Sequence, residues 1–191
     1  ASDRPDLPIT VYDANKLAAE HLVGVYNAMG AVAGVTLRIA NVYGPGAAKS
    51  AAERGITNKM IARAMAGHNL TYFGDGQIVR DYVYIDDLLR AFLIAAPVVT
   101  QAKQRSYVVA GGGTHTLREA FEMIAAVVAS IGYPKVEVGS APWPPELHPI
   151  DRRSYAADIA PHTAFSGWLP HIPLAEGIRL TAETFARWQP A

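Results

Sequence analysis

Apolar positions along the chain switch between helical and alternating spacing, and each switch marks a new element. Residues 1–11 read as loop, punctuated by Pro5 and Pro8. A helix follows from near Asp13, with Leu17, Leu22, Val25 and Met29 as its apolar stripe and Gly30 as its stop. Val35 to Ala40 reads as a strand, which Asn41 to Gly46 ends before a long loop. Ile56 to Ala66 has helical spacing, Leu70 to Phe73 is a short strand, Gly74-Asp75-Gly76 a turn, and Val79 to Ile85 an extended segment. Asp86 is the expected N-cap of a helix running through Leu89 and Phe92 to about Ala96, with Asp87 solvated or structural. Tyr107 to Ala110 reads as a buried strand. Thr114 or Thr116 caps the next helix, whose inner face is Leu117, Phe121, Ile124, Ala125 and Val128. The Pro-rich stretch from Lys135 to Arg153 is expected to be irregular, a short helix starts near Asp158, and Leu174 to Trp188 is the last helix. Helices alternating with strands predict an α/β protein with parallel strands and right-handed crossovers. The chain is too short for a full doubly wound sheet, so it reads as the second half of one.

Composition narrows the function classes. The chain has 191 residues, half of them apolar and 18% charged, as expected of a globular domain. Lys plus Arg equals Asp plus Glu at 17 each, which argues against a nucleic-acid partner. No cysteine is present, which removes disulfides, thiolate metal sites and a cysteine nucleophile. No apolar run approaches the ~20 residues of a membrane-spanning helix, and residues 1–6 are too polar for a signal peptide. A cytoplasmic location is expected. The first residue is Ala1 rather than Met, which fits processing or a start inside a longer protein.

Tyr12 and Lys16 carry the first candidate chemistry. Four residues apart on a helix, they share a face. An ammonium beside a phenol favours the phenolate, which makes the phenol a proton shuttle closer to neutral pH. The plainer reading is a surface lysine laying its stem on a tyrosine ring. The six histidines (His21, His68, His115, His148, His162 and His171) show no metal-ligand spacing; His148 and His171 could touch a ligand in the lobe, but the favoured reading puts them at the surface. Trp143, Trp168 and Trp188 are read as packing residues.

Context decides between the readings of Tyr12. The segment Tyr12-Asp13-Ala14-Asn15-Lys16 is followed by Leu37-Arg38-Ile39-Ala40-Asn41-Val42-Tyr43-Gly44-Pro45-Gly46. Tyr72-Phe73-Gly74-Asp75-Gly76, Arg80-Asp81-Tyr82 and Gly167-Trp168-Leu169-Pro170 come later. This ordered series resembles the extended short-chain dehydrogenase/reductase family, and within it the NAD-dependent nucleotide-sugar epimerases and dehydratases. The resemblance runs over about residues 7–188. It implies the C-terminal part of a Rossmann-like parallel sheet with helices, plus a small mixed substrate-binding lobe. Residues 1–44 and 84–132 would be the Rossmann-like part, and 45–83 and 133–191 the lobe.

By the same resemblance Tyr12 is the catalytic acid/base, exchanging the proton of a sugar hydroxyl as hydride passes between sugar carbon and nicotinamide. Lys16 holds the cofactor ribose and the Tyr12 phenol, while Ile39 and Ala40 pass the nicotinamide. Asn41 reaches the substrate diphosphate and Arg80 binds the diphosphate or ribose region, where a guanidinium fork suits phosphate oxygens. Arg152 or Arg153 adds a second phosphate contact. For Arg80 the alternative is an ion pair with Asp81 or Asp75. The implied cofactor is NAD, with NADP left open. The implied partners are a nucleotide-diphosphate sugar and a second copy of the chain, packed through the helix of Tyr12 and Lys16.

The Gly-rich turn that holds the dinucleotide in this family has no counterpart here. Gly111-Gly112-Gly113 reads as a late turn between strand and helix. Gly44-Pro45-Gly46-Ala47-Ala48-Lys49-Ser50 lacks the Gly before Lys-Ser of a phosphate-binding P-loop, and Pro45 removes an amide donor. The expectation is that the N-terminal cofactor half lies outside this chain, with the Ser or Thr that assists the tyrosine. The alternative is a non-catalytic fragment that binds a partner or itself. Epimerase, dehydratase and reductase remain open at this level, as does the sugar.

Overall fold

A computed structural model describes residues 7–46, 55–103, 105–146 and 149–188. Helix α1 (Val11–Ala28) starts where the Thr10 hydroxyl accepts the Asp13 amide at 3.0 Å, and it stops before Gly30, which takes a left-handed φ of 69°. Strands β1 (Thr36–Ile39) and β2 (Asn41–Tyr43) follow, then α2 (Ile56–Met65), β3 (Leu70–Phe73) and β4 (Val79–Tyr84). Helix α3 (Ile85–Ala95) leads through a 3-10 segment to β5 (Ser106–Val109) and β6 (Thr114–Thr116). The chain closes with α4 (Leu117–Ser130), β7 (Val138–Ala141), a 3-10 turn (Pro149–Arg152), α5 (Ala160–Ser166) and α6 (Leu174–Trp188).

The described residues form three strand groups. β1 pairs parallel with β5, Ile39 opposite Val109. β2 pairs parallel with β4, Asn41 opposite Tyr82, and β6 lies antiparallel on β4 with His115 opposite Arg80. β3 and β7 form a parallel pair, Leu70 opposite Val138. Between the first two groups, the Ala40 amide donates to the Val109 carbonyl at 2.9 Å, so the chain steps from one pair to the next within a single residue.

The larger core gathers Ile61 and Met65 of α2, Tyr72 of β3, Phe121, Ile124 and Val128 of α4, and Ile178 and Phe185 of α6. Each such side chain, fully buried, contributes about 1.5–3 kcal/mol. α6 approaches closely because position 177 is glycine: a Cβ there would run into the Tyr43 hydroxyl. A smaller core joins Val83, Leu88, Ala91, Val109 and Trp168. Trp168 is fully buried, and its indole N–H donates to the Asp87 carbonyl at 3.0 Å, so it packs as read from sequence.

Several expectations need correction. Asp86 does not cap α3. β4 runs straight into the helix, Tyr84 occupies the cap position without a side-chain bond, and Asp86 is exposed in the first turn, where the helix dipole favours a carboxylate. Asp87 is structural: buried, it accepts the His171 and Ile172 amides at 2.9 and 2.8 Å and pairs with Arg90. Residues 41–43 continue as a strand because β4 offers them a parallel edge. The stretch from Lys135 to Arg153 is not wholly irregular, since β7 adds to β3 there. Thr116 is the cap of α4, in a reciprocal capping box with Glu119, and the three residues ending on it form the unanticipated β6.

Candidate active site

Because Thr10 fixes the start of α1, Tyr12 falls in its first turn. Lys16 and Glu20 follow at four-residue intervals on the same face. The Lys16 ammonium lies 5.5 Å from the centre of the Tyr12 ring, and Tyr12 is 68% exposed. Glu20 is gripped from β1: Arg38 Nε meets Oε2 at 2.9 Å and Nη2 meets Oε1 at 3.0 Å. Tyr12, Lys16, Glu20, Arg38, Ile39 and Arg153 line an open cleft of about 470 Å³. It reaches Ile39, the C-terminal end of parallel strand β1, the edge at which open α/β sheets bind ligands.

A second cluster forms where residues 151–155 cross the start of β4. The Val79 amide donates to Ser154 Oγ at 3.0 Å, and the Tyr155 amide donates to the Val79 carbonyl at 3.2 Å. Arg80 donates to the carbonyls of Val79 and Asp151 at 3.0 and 2.9 Å, and to that of Arg153. The Tyr155 hydroxyl, on a residue 37% exposed, accepts the Asn41 amide at 3.2 Å and donates to Asn41 Oδ1 at 2.7 Å. The Arg80 guanidinium sits 5.6 Å from the centre of the Tyr155 ring. Burial pushes the Tyr155 phenol up, against the opposing pull of the Asn41 bond and the Arg80 charge. Among the described residues Arg80 forms no ion pair with Asp81 or Asp75. Buried Asp81 instead accepts the Gly111 amide at 2.7 Å, and its carboxyl is pushed above the usual range, chiefly by burial.

The residues singled out from sequence thus fall into two groups. Tyr12, Lys16, Ile39 and Arg153 share the cleft, while Asn41 and Arg80 are joined by Tyr155. Ala40 is the backbone step between the groups. Arg152 stands apart, 5.1 Å from the Trp143 ring, which itself contacts Phe73 at 5.7 Å. His171 Nε2 lies 3.4 Å from Arg90, and His148 lies outside the described residues. Among the described residues no three His, Asp or Glu side chains gather to hold a metal. Gly44 is clasped by Asn58, which accepts its amide at 3.1 Å and donates to its carbonyl at 2.8 Å. Residues 47–50 of that glycine stretch lie outside the described residues. No helix among the described residues is long and apolar enough to cross a membrane.

The family model for the NAD dependent epimerase/dehydratase family matches residues 1–110. The chain belongs to that family. It is 32% identical over 188 residues to a UDP-glucose 4-epimerase of Mycolicibacterium smegmatis, covering 97% of this chain and 56% of that one. The UDP-glucose 4-epimerase of Thermotoga maritima, solved with UDP-glucose, superposes with a TM-score of 0.77 at 29% identity over 95% of this chain and 55% of its own. The Thermus thermophilus UDP-glucose 4-epimerase, solved with NAD, gives 0.74 at 31% identity over 97% and 57%. The chain therefore spans about half the length of these relatives, and its α/β architecture is part of their Rossmann fold.

Within this member of the epimerase/dehydratase family, sequence reasoning missed two features of the candidate site. Tyr155 joins Asn41 to Arg80 across 114 residues, and nothing in its neighbourhood announces that contact. The fork between Glu20 and Arg38 was also unmarked. A glutamate one turn after Lys16 and an arginine just before Ile39 were the available signal.

Proposed function

We propose that this chain is the acid/base and substrate-binding half of an NAD-dependent enzyme that epimerises or dehydrates a nucleotide-diphosphate sugar. The reading rests on one observation: Tyr12 and Lys16 stand in contact on one helical face, in a cleft at the end of a parallel strand. A lysine lying on a surface tyrosine would make the same ring contact; the shared cleft with Ile39 and Arg153 favours the functional role. The residues fit the nicotinamide end of a dinucleotide. Lys16 is an exposed donor suited to ribose hydroxyls, and Ile39, 43% exposed, offers an apolar edge to a flat ring. NAD, when bound, supplies reversible hydride exchange with a sugar carbon. Tyr12 Oη takes the sugar hydroxyl proton and returns it, and Lys16 holds the ribose. Asn41 and Arg80, with Arg153, orient the diphosphate, for which the guanidinium geometry is suited. On this reading 1–44 and 84–132 form the Rossmann-like part and 45–83 and 133–191 the substrate lobe, with α4 as the wall on which α2 and α6 pack.

Turnover of a UDP- or dTDP-hexose with NAD tests the assignment in the enzyme that contains this chain. Tyr12→Phe is expected to lower kcat about 10²–10⁴-fold and leave KM nearly unchanged. Turnover at the unsubstituted rate would remove Tyr12 from the chemistry. A self-associating role is favoured by Leu22, Val25 and Tyr26 of α1 and by Met29 at its C-cap, all at least half exposed. These form an apolar stripe at helical spacing that suits a second copy of the chain. Calorimetric titration separates a catalytic half from a non-catalytic module: micromolar NAD binding by the 191-residue chain alone counts against the module.

A further inference from the structure

Lys16 sits between two potential partners on α1, Tyr12 one turn before it and Glu20 one turn after. Its ammonium lies on the Tyr12 ring, and no ion pair joins it to Glu20 among the described residues. Both carboxylate oxygens of Glu20 are instead engaged by Arg38, in a two-point fork at 2.9 and 3.0 Å. At a fully exposed site, a lysine–glutamate pair at this spacing and a cation–π contact are comparably weak. Glu20 is not fully exposed, since its side chain retains only 14% of its accessible surface. Deprived of Arg38, that shielded carboxylate would need another cation, and Lys16 is one helical turn away.

We propose that Arg38 is a positioning residue for Lys16: by occupying both oxygens of Glu20, it prevents that carboxylate from drawing the lysine away from Tyr12. The inference rests on the reading of Tyr12 and Lys16 as the working pair. Arg38 touches neither sugar nor cofactor in this role. It acts through Glu20, and the planar fork of arginine is what allows one side chain to satisfy both oxygens. Lysine at position 38 would bind one oxygen and leave the other to compete.

The position of Lys16 can be read directly by NMR on the 191-residue chain carrying ¹³C-labelled lysine. Its ε-methylene protons are expected upfield of those of the other lysines, because the ammonium they carry lies over the Tyr12 ring; Tyr12→Leu removes that shift and so assigns the signal. Arg38→Met is expected to lose more than half of the shift and to give a cross-peak between Lys16 and Glu20. Adding Glu20→Gln to Arg38→Met is expected to restore it. A shift unchanged in Arg38→Met overturns the proposal. So does a shift that stays lost in the double variant, because Arg38 would then only bolt α1 to β1. Should Arg38→Met fail to fold, Arg38→Gln with and without Glu20→Gln carries the same comparison. Failure of these spectra leaves the Tyr12 and Lys16 reading intact. Full turnover by a Lys16→Met enzyme sinks that reading and the positioning role with it.

Discussion

Helices α4 and α1 carry apolar residues at the same spacing and meet opposite surroundings. In α4, Ala120, Phe121, Ile124, Ala125 and Val128 are buried against α2, α6 and the β3–β7 pair. In the 18 residues of α1 only Gly24 is buried, and Met29, just beyond its end, is 70% exposed. A capping box starts α4, whereas a single threonine hydroxyl starts α1. Periodicity shows that a helix has an apolar face but says nothing of what covers it. α4 uses its face to hold this chain together. α1 uses little of its own that way, and it carries Tyr12 and Lys16. The proposed chemistry therefore sits on a helix that contributes no residue to either core cluster, fastened by the Glu20–Arg38 fork and by Asn27, whose Oδ1 accepts the Gly34 amide at 2.8 Å.

The largest expected effect lies on the α4 side. Ile124→Ala should lower the free energy of unfolding by about 2–5 kcal/mol, since the site is almost fully enclosed and cannot relax completely. Urea denaturation measures it, and Val25→Ala on α1 should cost much less under the same conditions. A similar loss at both positions would break the contrast. Next come the caps. Thr116→Ala removes one arm of the capping box and should cost about 1 kcal/mol. Thr10→Ala, which removes the lone hydroxyl at the start of α1, should cost less, because α1 contributes less to global unfolding. An α1 cap worth more than the α4 cap would mean that α1 is part of the cooperative core.

How much was legible beforehand follows the same divide between local and distant causes. α2 and α6 were placed to within a residue, because their periodicity and flanking breakers are local. β7 was missed because Val-Gly-Ser-Ala has little strand propensity of its own; β3, almost seventy residues away, makes it a strand. Residues 41–43 read as loop from their own types, and the parallel edge of β4, with Asn41 opposite Tyr82, makes them a strand. In the site, Tyr12, Lys16, Asn41 and Arg80 were legible as residue types in ordered motifs. Tyr155 was not, since its hydroxyl reaches Asn41 only after the chain has crossed β4. The motif around Arg80 points to a ligand of the diphosphate or ribose region, while the three carbonyls that hold its side chain are a backbone arrangement that no residue pattern encodes.

His162 offers a pH-dependent test of how the α5 side of the molecule is closed. Its ring is fully buried beside Trp168 at 5.1 Å, neither nitrogen is hydrogen-bonded among the described residues, and burial pushes the imidazole below its ordinary value of 6.5. The unfolded chain then takes up a proton more readily than the folded one as pH falls through the ordinary imidazole range. The stability linked to this group is present above that range and is lost on acidification. Urea midpoints between pH 8 and pH 5 should fall more steeply for the unsubstituted chain than for His162→Phe. Parallel curves would mean that the ring is not shielded from water.

The smallest expected effect on folding is also the one that says most about α1. Leu22→Glu and Met29→Glu replace side chains that are 58% and 70% exposed, so each should change the unfolding free energy by no more than about 0.5 kcal/mol. If α1 meets a second copy of the chain, the same substitutions place charge in an apolar contact and should shift sedimentation toward the monomer at concentrations where the unsubstituted chain associates. Unchanged stability with a changed association state would assign the α1 stripe to a partner, as its contrast with α4 suggests. A loss of stability as large as that of Ile124→Ala would place the stripe in the fold itself and end the contrast. Unchanged stability with unchanged association would leave the stripe to a partner other than a second copy, with the dimer reading of α1 abandoned.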